Sequence, residues 1–520
     1  MKEIKRALIS VTDKSGLKEL VAALHERQVE IISTGGTAKK IQEMGIPITP
    51  IEKVTGNPEA FGGRMKTISF QIGSALLFKR EDQDHQAQAK DLGVEPIDLV
   101  VCNLYQFEKA ARENAELDQL IEQIDIGGPS MIRAAAKNHE SISVLTGPSQ
   151  YGEFIQKFKT SNIDQNYNKA LALSAFQLTS RYDEMIFKTL SNAESASAQL
   201  TNKKKLRYGE NPHQSANLFK LENTNNQSLV DAKIHQGKEL SYNNILDLDA
   251  AWKSCYDAYY SVEKDALRCV SLVKHLNPAG LALAHSKTQA LKLAWAGDPV
   301  SAFGSIICFN YEVELEQAKW LSDKFIEIVV APSFAPEALE AFSKKKNLRV
   351  IELAPKKRES IEQVYRSVSG AMLVQEEDHV LDRELQFVTK KKFDEELLPL
   401  ARFGGAACKH LKSNAICLVS QTDEGDFWLT GAGMGQPNRL DSLRQLTIPR
   451  FRDKKDAKIE ESIMVSDAFF PFRDSVDTAN EYNIKNIVQP GGSIKDKEVI
   501  AACDEFGIAM AFTGRRHFRH

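Results

Sequence analysis

Residues 6 to 52 alternate between short apolar runs and amphipathic stretches of helical period. Arg6-Ala7-Leu8-Ile9-Ser10-Val11 reads as a strand, Gly16 to about Gln28 as a helix and Val29-Glu30-Ile31-Ile32-Ser33 as a second strand, with another helix from about Thr37. Mostly apolar strands separated by helices predict a parallel sheet with crossover helices. The pattern continues with the strand Ile97 to Cys102, helices near 108 to 123 and 129 to 137, and the strand Ser141 to Leu145. A long helical pattern from about Asn168 to Ala193 gives way to Ser195 to Lys205, small or polar apart from Leu200. The main domain boundary is placed there.

The second half contains a faint repeat. Lys274-His275-Leu276 is echoed by Lys409-His410-Leu411, Ser301-Ala302-Phe303 by Ser466-Asp467-Ala468-Phe469, and Val329-Val330-Ala331-Pro332 by Ile487-Val488-Gln489-Pro490. Three echoes in one order point to two related α/β lobes.

The 520 residues exceed one core, and charged residues make up 26% with a net charge of only −3. Nothing general attracts nucleic acid or an anionic membrane, so an anionic ligand needs local sites. Seven scattered cysteines without a Cys-x-x-Cys pair predict free thiols in the cytoplasm. The N-terminus carries no signal-peptide pattern, and no apolar run reaches the roughly 18 residues of a membrane span.

Candidate chemistry gathers in a few stretches. The run Val270 to Val273 ends in Lys274-His275, which delivers a cation and a titratable base to the rim of a sheet, where ligands of α/β proteins sit. Thr34-Gly35-Gly36-Thr37 lies between strand and helix, where backbone N–H groups meet anions, and Ser10, Thr12 and Lys14 precede it in a comparable turn. Arg64 and Lys66-Thr67 follow a Gly-rich loop and suit a phosphorylated ligand. Asp125 precedes Gly127-Gly128, with Lys137 about two turns into the following helix. With the phenol of Tyr105 they suggest a proton-transfer set. Asp298 to Gly304 and Ser466 to Asp474 set apolar walls beside carboxylates, as a flat heteroaromatic ligand requires. Each has a plainer alternative: a solvated Lys beside a bonded His, a helix cap, a basic loop, core aromatics. The sequence lacks the His-x-Glu and Pro-Cys-x-x-Cys signature of zinc deaminases, and a Gly-x-Ser-x-Gly elbow.

Together these motifs, with Arg207 to Gln214, Gln489 to Ser493 and Thr513 to His520, resemble the bifunctional purine-biosynthesis family that joins phosphoribosylaminoimidazolecarboxamide formyltransferase to IMP cyclohydrolase. The resemblance runs from about Ser10 to His520. It implies a methylglyoxal-synthase-like parallel-sheet domain over 1–197, then a formyltransferase domain over 198–520 made of two tandem cytidine-deaminase-like α/β lobes without zinc, about 198–360 and 361–520. It implies formyl transfer from 10-formyltetrahydrofolate to AICAR, giving FAICAR, and closure of FAICAR to IMP. Lys274, His275 and Asn414 are the implied catalytic residues for transfer, and Lys66, Tyr105, Asp125 and Lys137 for closure. Ser10, Thr12, Lys14, Thr34, Gly35, Gly36, Thr37, Arg64, Thr67, Gly127 and Gly128 would bind nucleotide in the first domain, and Arg207, Tyr208 and Arg516 in the second. Phe303, Gly304, Glu327, Phe469 and Asp474 would meet folate. No protein metal ligand is implied, a monovalent cation remains allowed, and a homodimer with transferase sites at its interface is expected.

Four departures stand out. Ser69 and Gly73 replace family histidines after Lys66-Thr67, Gln106 replaces a proline after Tyr105, Gly405-Ala406 replaces Trp-Lys before Lys409, and Gly433 to Arg439 reads Gly-Met-Gly-Gln-Pro-Asn-Arg. The alternative they leave open is a formyltransferase alone, with a first domain that only binds purine nucleotide.

Overall fold

The computed structural model describes residues 3–105, 107–113, 116–191, 200–221, 229–262, 266–356 and 362–520. Ser195 to Gln199 of the expected linker and the Gln106 substitution lie outside the described residues. The chain divides into two compact units, Met1–Ala196 and Ser197–His520.

Unit one holds a five-stranded sheet of β1 (Arg6–Ser10), β2 (Glu30–Ser33), β3 (Thr49–Pro50), β4 (Leu99–Cys102) and β5 (Ser143–Leu145) in the order β3-β2-β1-β4-β5. Every pairing is parallel. The strands are apolar runs because both faces are covered: Leu8, Ile9, Ile32, Leu99 and Val100 are fully buried. Helices α1 (Leu17–Glu26), α2 (Gly35–Glu43), α3 (Phe70–Leu77), α4 (Gly127–Lys137) and α5 (Gln165–Ser191) supply much of that cover. The helix expected near 108 to 123 is two, Phe107–Arg112 and Leu117–Glu122. Strand order reverses at β1, so the loops after β1 and β4 part there and leave a crevice at the carboxyl ends of the strands.

Unit two opens with a correction. Leu200–Lys205, read as the end of a linker, forms strand β6, paired with β7 (Asn217–Leu221) around the Arg207 to Gln214 loop. The polar run Lys203-Lys204-Lys205 lacks the apolar alternation that marks a strand.

The main sheet of this unit joins twelve strands. The first lobe contributes β8 (Lys233–Gln236), β9 (Arg268–Lys274), β10 (Asn277–Ala284), β11 (Ile306–Phe309), β12 (Ile328–Ala331) and β13 (Arg349–Glu352). A separate hairpin follows, β14 (Gln363–Val368) with β15 (Ala371–Glu376). The second lobe contributes β16 (Gln386–Phe387), β17 (Ile416–Gln421), β18 (Phe427–Gly433), β19 (Ile463–Ser466), β20 (Asn486–Gln489) and β21 (Ala509–Phe512). Lobe one runs β10-β9-β11-β12-β13-β8 and lobe two β18-β17-β19-β20-β21-β16, the same path walked twice. The lobes meet where β10 pairs with β18 antiparallel. Long helices α6 (Tyr242–Ser261) and α7 (Leu398–Lys409) precede β9 and β17 as counterparts and pack in one core cluster.

This alignment corrects two of the three echoes. Val329 to Pro332 and Ile487 to Pro490 do lie at the ends of matching strands, β12 and β20. Lys274-His275 ends a strand, however, whereas Lys409-His410 ends α7. Ser301 lies before β11, but Ser466 ends its counterpart β19.

Candidate active site

The crevice of unit one is built by loops that tie to one another. The Asn103 side chain, after β4, accepts the N–H groups of Thr12 at 2.6 Å and Asp13 at 3.1 Å and donates to the Asp13 carbonyl at 2.9 Å. Ser10 ends β1, and Lys14 Nζ turns back to the Thr12 carbonyl. After β2, Thr34 precedes α2, whose first N–H groups receive no side-chain cap. Among the described residues the buried Thr34 Oγ1 has no partner. An open helix start with a free hydroxyl fits an anion. The Thr37 hydroxyl donates to the Val11 carbonyl and accepts the Val11 N–H. That side chain closes the β1 loop, which leaves the backbone N–H for a ligand.

Lys66 and Thr67 span the starts of two helices. Lys66 Nζ pairs with Glu59 at 3.1 Å and lies 3.9 Å from where Gly35 would carry a Cβ, while Thr67 Oγ1 lies 2.5 Å from the same position on Gly127. Arg64 is exposed and pairs with Glu122. Asp125 accepts the Gly128 N–H at 2.8 Å, and the Tyr105 backbone N–H also reaches it. Burial pushes the Asp125 carboxyl above its ordinary range, against those two donors. Gly128 permits this approach, since a Cβ there would lie 2.5 Å from Asp125 Oδ2. Lys137 lies further along the same helix. It is the exposed last residue of α4, about 15 Å along the axis from Gly127 at 1.5 Å per residue. Ser69 caps α3 by accepting the Ile72 N–H, and the position of Gly73 faces open space.

In unit two, His275 and Leu276 form the tip of the β9–β10 hairpin with φ of 52° and 66°. Asp247 on α6 accepts both of their N–H groups, at 3.2 and 2.6 Å. His275 is exposed, and Lys274 Nζ donates to the Phe303 carbonyl at 2.8 Å. Phe303 stacks obliquely on Phe325, 4.9 Å between centroids, with Gly304 turning the chain beside them at φ 76°. A cavity of about 150 Å³ opens among Lys274, His275, Gly297, Asp298, Gly431 and Arg450.

One turn before Asp247, Asn244 donates to Glu327 at 2.8 Å, and Arg349 approaches the same carboxylate at 3.6 Å. The Glu327 N–H also bonds the Ser305 carbonyl at 3.1 Å, two residues after Phe303, which keeps Glu327 beside the Phe303–Phe325 pair. Across the sheet, the Asn414 amide donates to the carbonyls of Gln436 and Pro437 and accepts from Arg439, which also holds Asp467 at 2.9 Å and reaches the Phe469 carbonyl. The altered Gly433 to Arg439 loop therefore meets the Asn414 donors through main-chain oxygens. Asp474 starts the next helix. The C-terminal tail bearing Arg516 is strapped to the loop before Asn414 by two bonds between Arg519 and Ser413. Asp247, Asn244, Phe325 and Arg349 were not singled out in the sequence. Most act on groups distant along the chain, and only the Asp298 to Gly304 aromatic signal pointed near Phe325.

Comparison with known proteins adds the decisive observation. Residues 135–448 match the AICARFT/IMPCHase bienzyme family, and residues 16–130 match an MGS-like domain. The chain belongs to the AICARFT/IMPCHase family. It is thereby a bifunctional enzyme of purine biosynthesis, an AICAR formyltransferase and IMP cyclohydrolase. It is similar to the bifunctional purine biosynthesis protein PurH of Petrotoga mobilis, at 43% identity over 99% of this chain and 100% of that one. The PurH proteins of Persephonella marina and Corynebacterium glutamicum are 40% and 41% identical, over 99% and 100% of this chain and 100% and 99% of theirs. Among the described residues no cluster of three His, Cys, Asp or Glu is placed to hold a metal, and no helix is long and apolar enough to cross a membrane.

Proposed function

We propose that unit two transfers the formyl group of 10-formyltetrahydrofolate to the 5-amino group of AICAR, and that unit one closes the FAICAR product to IMP. The observation that carries the transferase reading is His275, exposed at a turn clamped by Asp247 and bordering a cavity. The amine attacks the formyl carbon, its proton passes to the imidazole, the bond to folate N10 breaks, and that nitrogen leaves protonated. An aromatic amine beside a carboxamide is a weak nucleophile, so placement against the formyl carbon supplies much of the rate. Lys274 orients the amine and offsets developing charge, and Asn414 positions the reacting groups. Arg207, Tyr208 and Arg516 hold the nucleotide, while Phe303, Gly304, Glu327, Phe469 and Asp474 face folate.

In unit one the start of α2, Thr34, Lys66 and Thr67 receive the phosphate and ribose, with Ser10, Thr12, Lys14 and Arg64 around them. Closure joins the carboxamide nitrogen to the formyl carbon and expels water, with Lys66, Tyr105 and Asp125 moving the protons. Asp125, raised by burial, suits that task. Lys137, at the far end of α4, is the fourth member of that proton-transfer set.

The active form is a homodimer in the cytoplasm with transferase sites at its interface. The β14–β15 hairpin supports it, with Val364, Val368, Met372, Leu373 and Val374 exposed. A two-stranded hairpin with uncovered apolar faces is marginal alone. The seven buried thiols suit a reducing compartment. Supplying FAICAR directly and following IMP absorbance tests the closure step. Formation at the uncatalysed rate would reduce the enzyme to a formyltransferase.

A further inference from the structure

Both residues at the tip of the β9–β10 hairpin occupy the left-handed region, which His and Leu adopt reluctantly. The tip therefore needs holding from outside. Asp247 holds its N–H groups, and Asn277 holds its carbonyl side: Asn277 Nδ2 donates to the His275 carbonyl at 2.9 Å. The other end of the same amide accepts the Lys412 N–H at 2.9 Å. Lys412 opens the Lys412-Ser413-Asn414 loop of lobe two, and Asn414 is itself held by Gln436, Pro437 and Arg439. One side chain thus joins the turn that carries His275 in lobe one to the loop that carries Asn414 in lobe two.

We infer that Asn277 is a positioning residue for formyl transfer, setting the spacing between His275 and Asn414. This rests on the roles proposed above for those two residues. An amide is required because the task needs a donor at one end and an acceptor at the other. Aspartate keeps the size and the bond from Lys412 but turns a lone pair towards the His275 carbonyl. Alanine loses both bonds. A general base displaced by about 1 Å costs on the order of a hundredfold in rate, whereas substrate contacts made elsewhere persist.

The test is steady-state formyl transfer by full-length Asn277→Asp and Asn277→Ala, beside wild type and His275→Ala, with FAICAR closure measured on the same preparations. Both Asn277 variants are expected to lose about tenfold or more in kcat, with KM for AICAR within about twofold of wild type and closure unchanged. Retention of kcat within about twofold by either variant overturns the inference. So does a loss confined to KM, which marks a binding role. A wild-type chain without formyl transfer, or an unimpaired His275→Ala, overturns the proposed roles first and this inference with them.

Discussion

His410 Nε2 lies 2.9 Å from Asp257 Oδ2 in the interior of unit two. Lys356 and Lys409 complete the cluster at 3.0 and 2.9 Å from the same carboxylate. Burial works against ionisation of Asp257, but His410 and the two lysines outweigh it and hold the carboxyl well below its usual range. Burial also lowers His410 to about 4, against the pull of Asp257, so the ring is neutral and donates. Asp257→Asn should strand two buried lysines and cost about 3–5 kcal/mol. Chemical denaturation of the full chain checks this, with an unmoved unit-two transition as the contrary result.

His517 is the opposite case. Its two ring nitrogens face Asp378 at 2.6 Å and Asp382 at 3.1 Å, so both must donate and the ring must carry charge. Burial opposes that charge, but the carboxylates win and raise the ring to about 9; Lys409 also acts on Asp378. A raised folded value contributes stability that is complete below the unfolded value near 6.5 and fades as pH climbs through about 9. Melting temperature should therefore decline over that window in wild type, and His517→Gln should flatten the decline. An equally steep decline in the variant would assign it elsewhere.

His275→Ala should reduce formyl transfer by about 10²- to 10⁴-fold, the usual worth of a general base, while closure of FAICAR proceeds unchanged. Loss of both activities in a folded variant would contradict separate sites.

Gly128→Ala should do the reverse. Its Cβ would lie 2.5 Å from Asp125 Oδ2 and 2.8 Å from Leu104 Cδ2, so Asp125 must shift. Closure should fall about tenfold or more with formyl transfer intact. A variant that closes FAICAR at the normal rate would remove Asp125 from the reaction.

The sequence revealed what is local. β1, β2 and β4 were legible because strands covered on both faces are continuous apolar runs, and the crevice followed from where those runs stop. Lys409-His410 was misread because a Lys-His-Leu triplet looks alike at the end of a strand or a helix; its burial depends on Asp257, 152 residues away. Ser69, a departure when compared by motif, is locally an ordinary cap for α3. Asn277 was visible only as the break after Lys274-His275, and not as a link, since its partners are two backbone groups, one of them 135 residues distant.

The seam between β10 and β18 has an evolutionary and practical consequence. It is brief, registered at Ala282 with Trp428 and Leu283 with Phe427, yet it makes two half-sheets one. Cutting the chain between the lobes would convert an interior strand of each into a raw edge, the kind that recruits another copy. The tandem thus resembles a twofold dimer fused into a single polypeptide. Its halves are free to specialise, one keeping His275 and the other Asn414, because neither can drift away to be replaced by its twin.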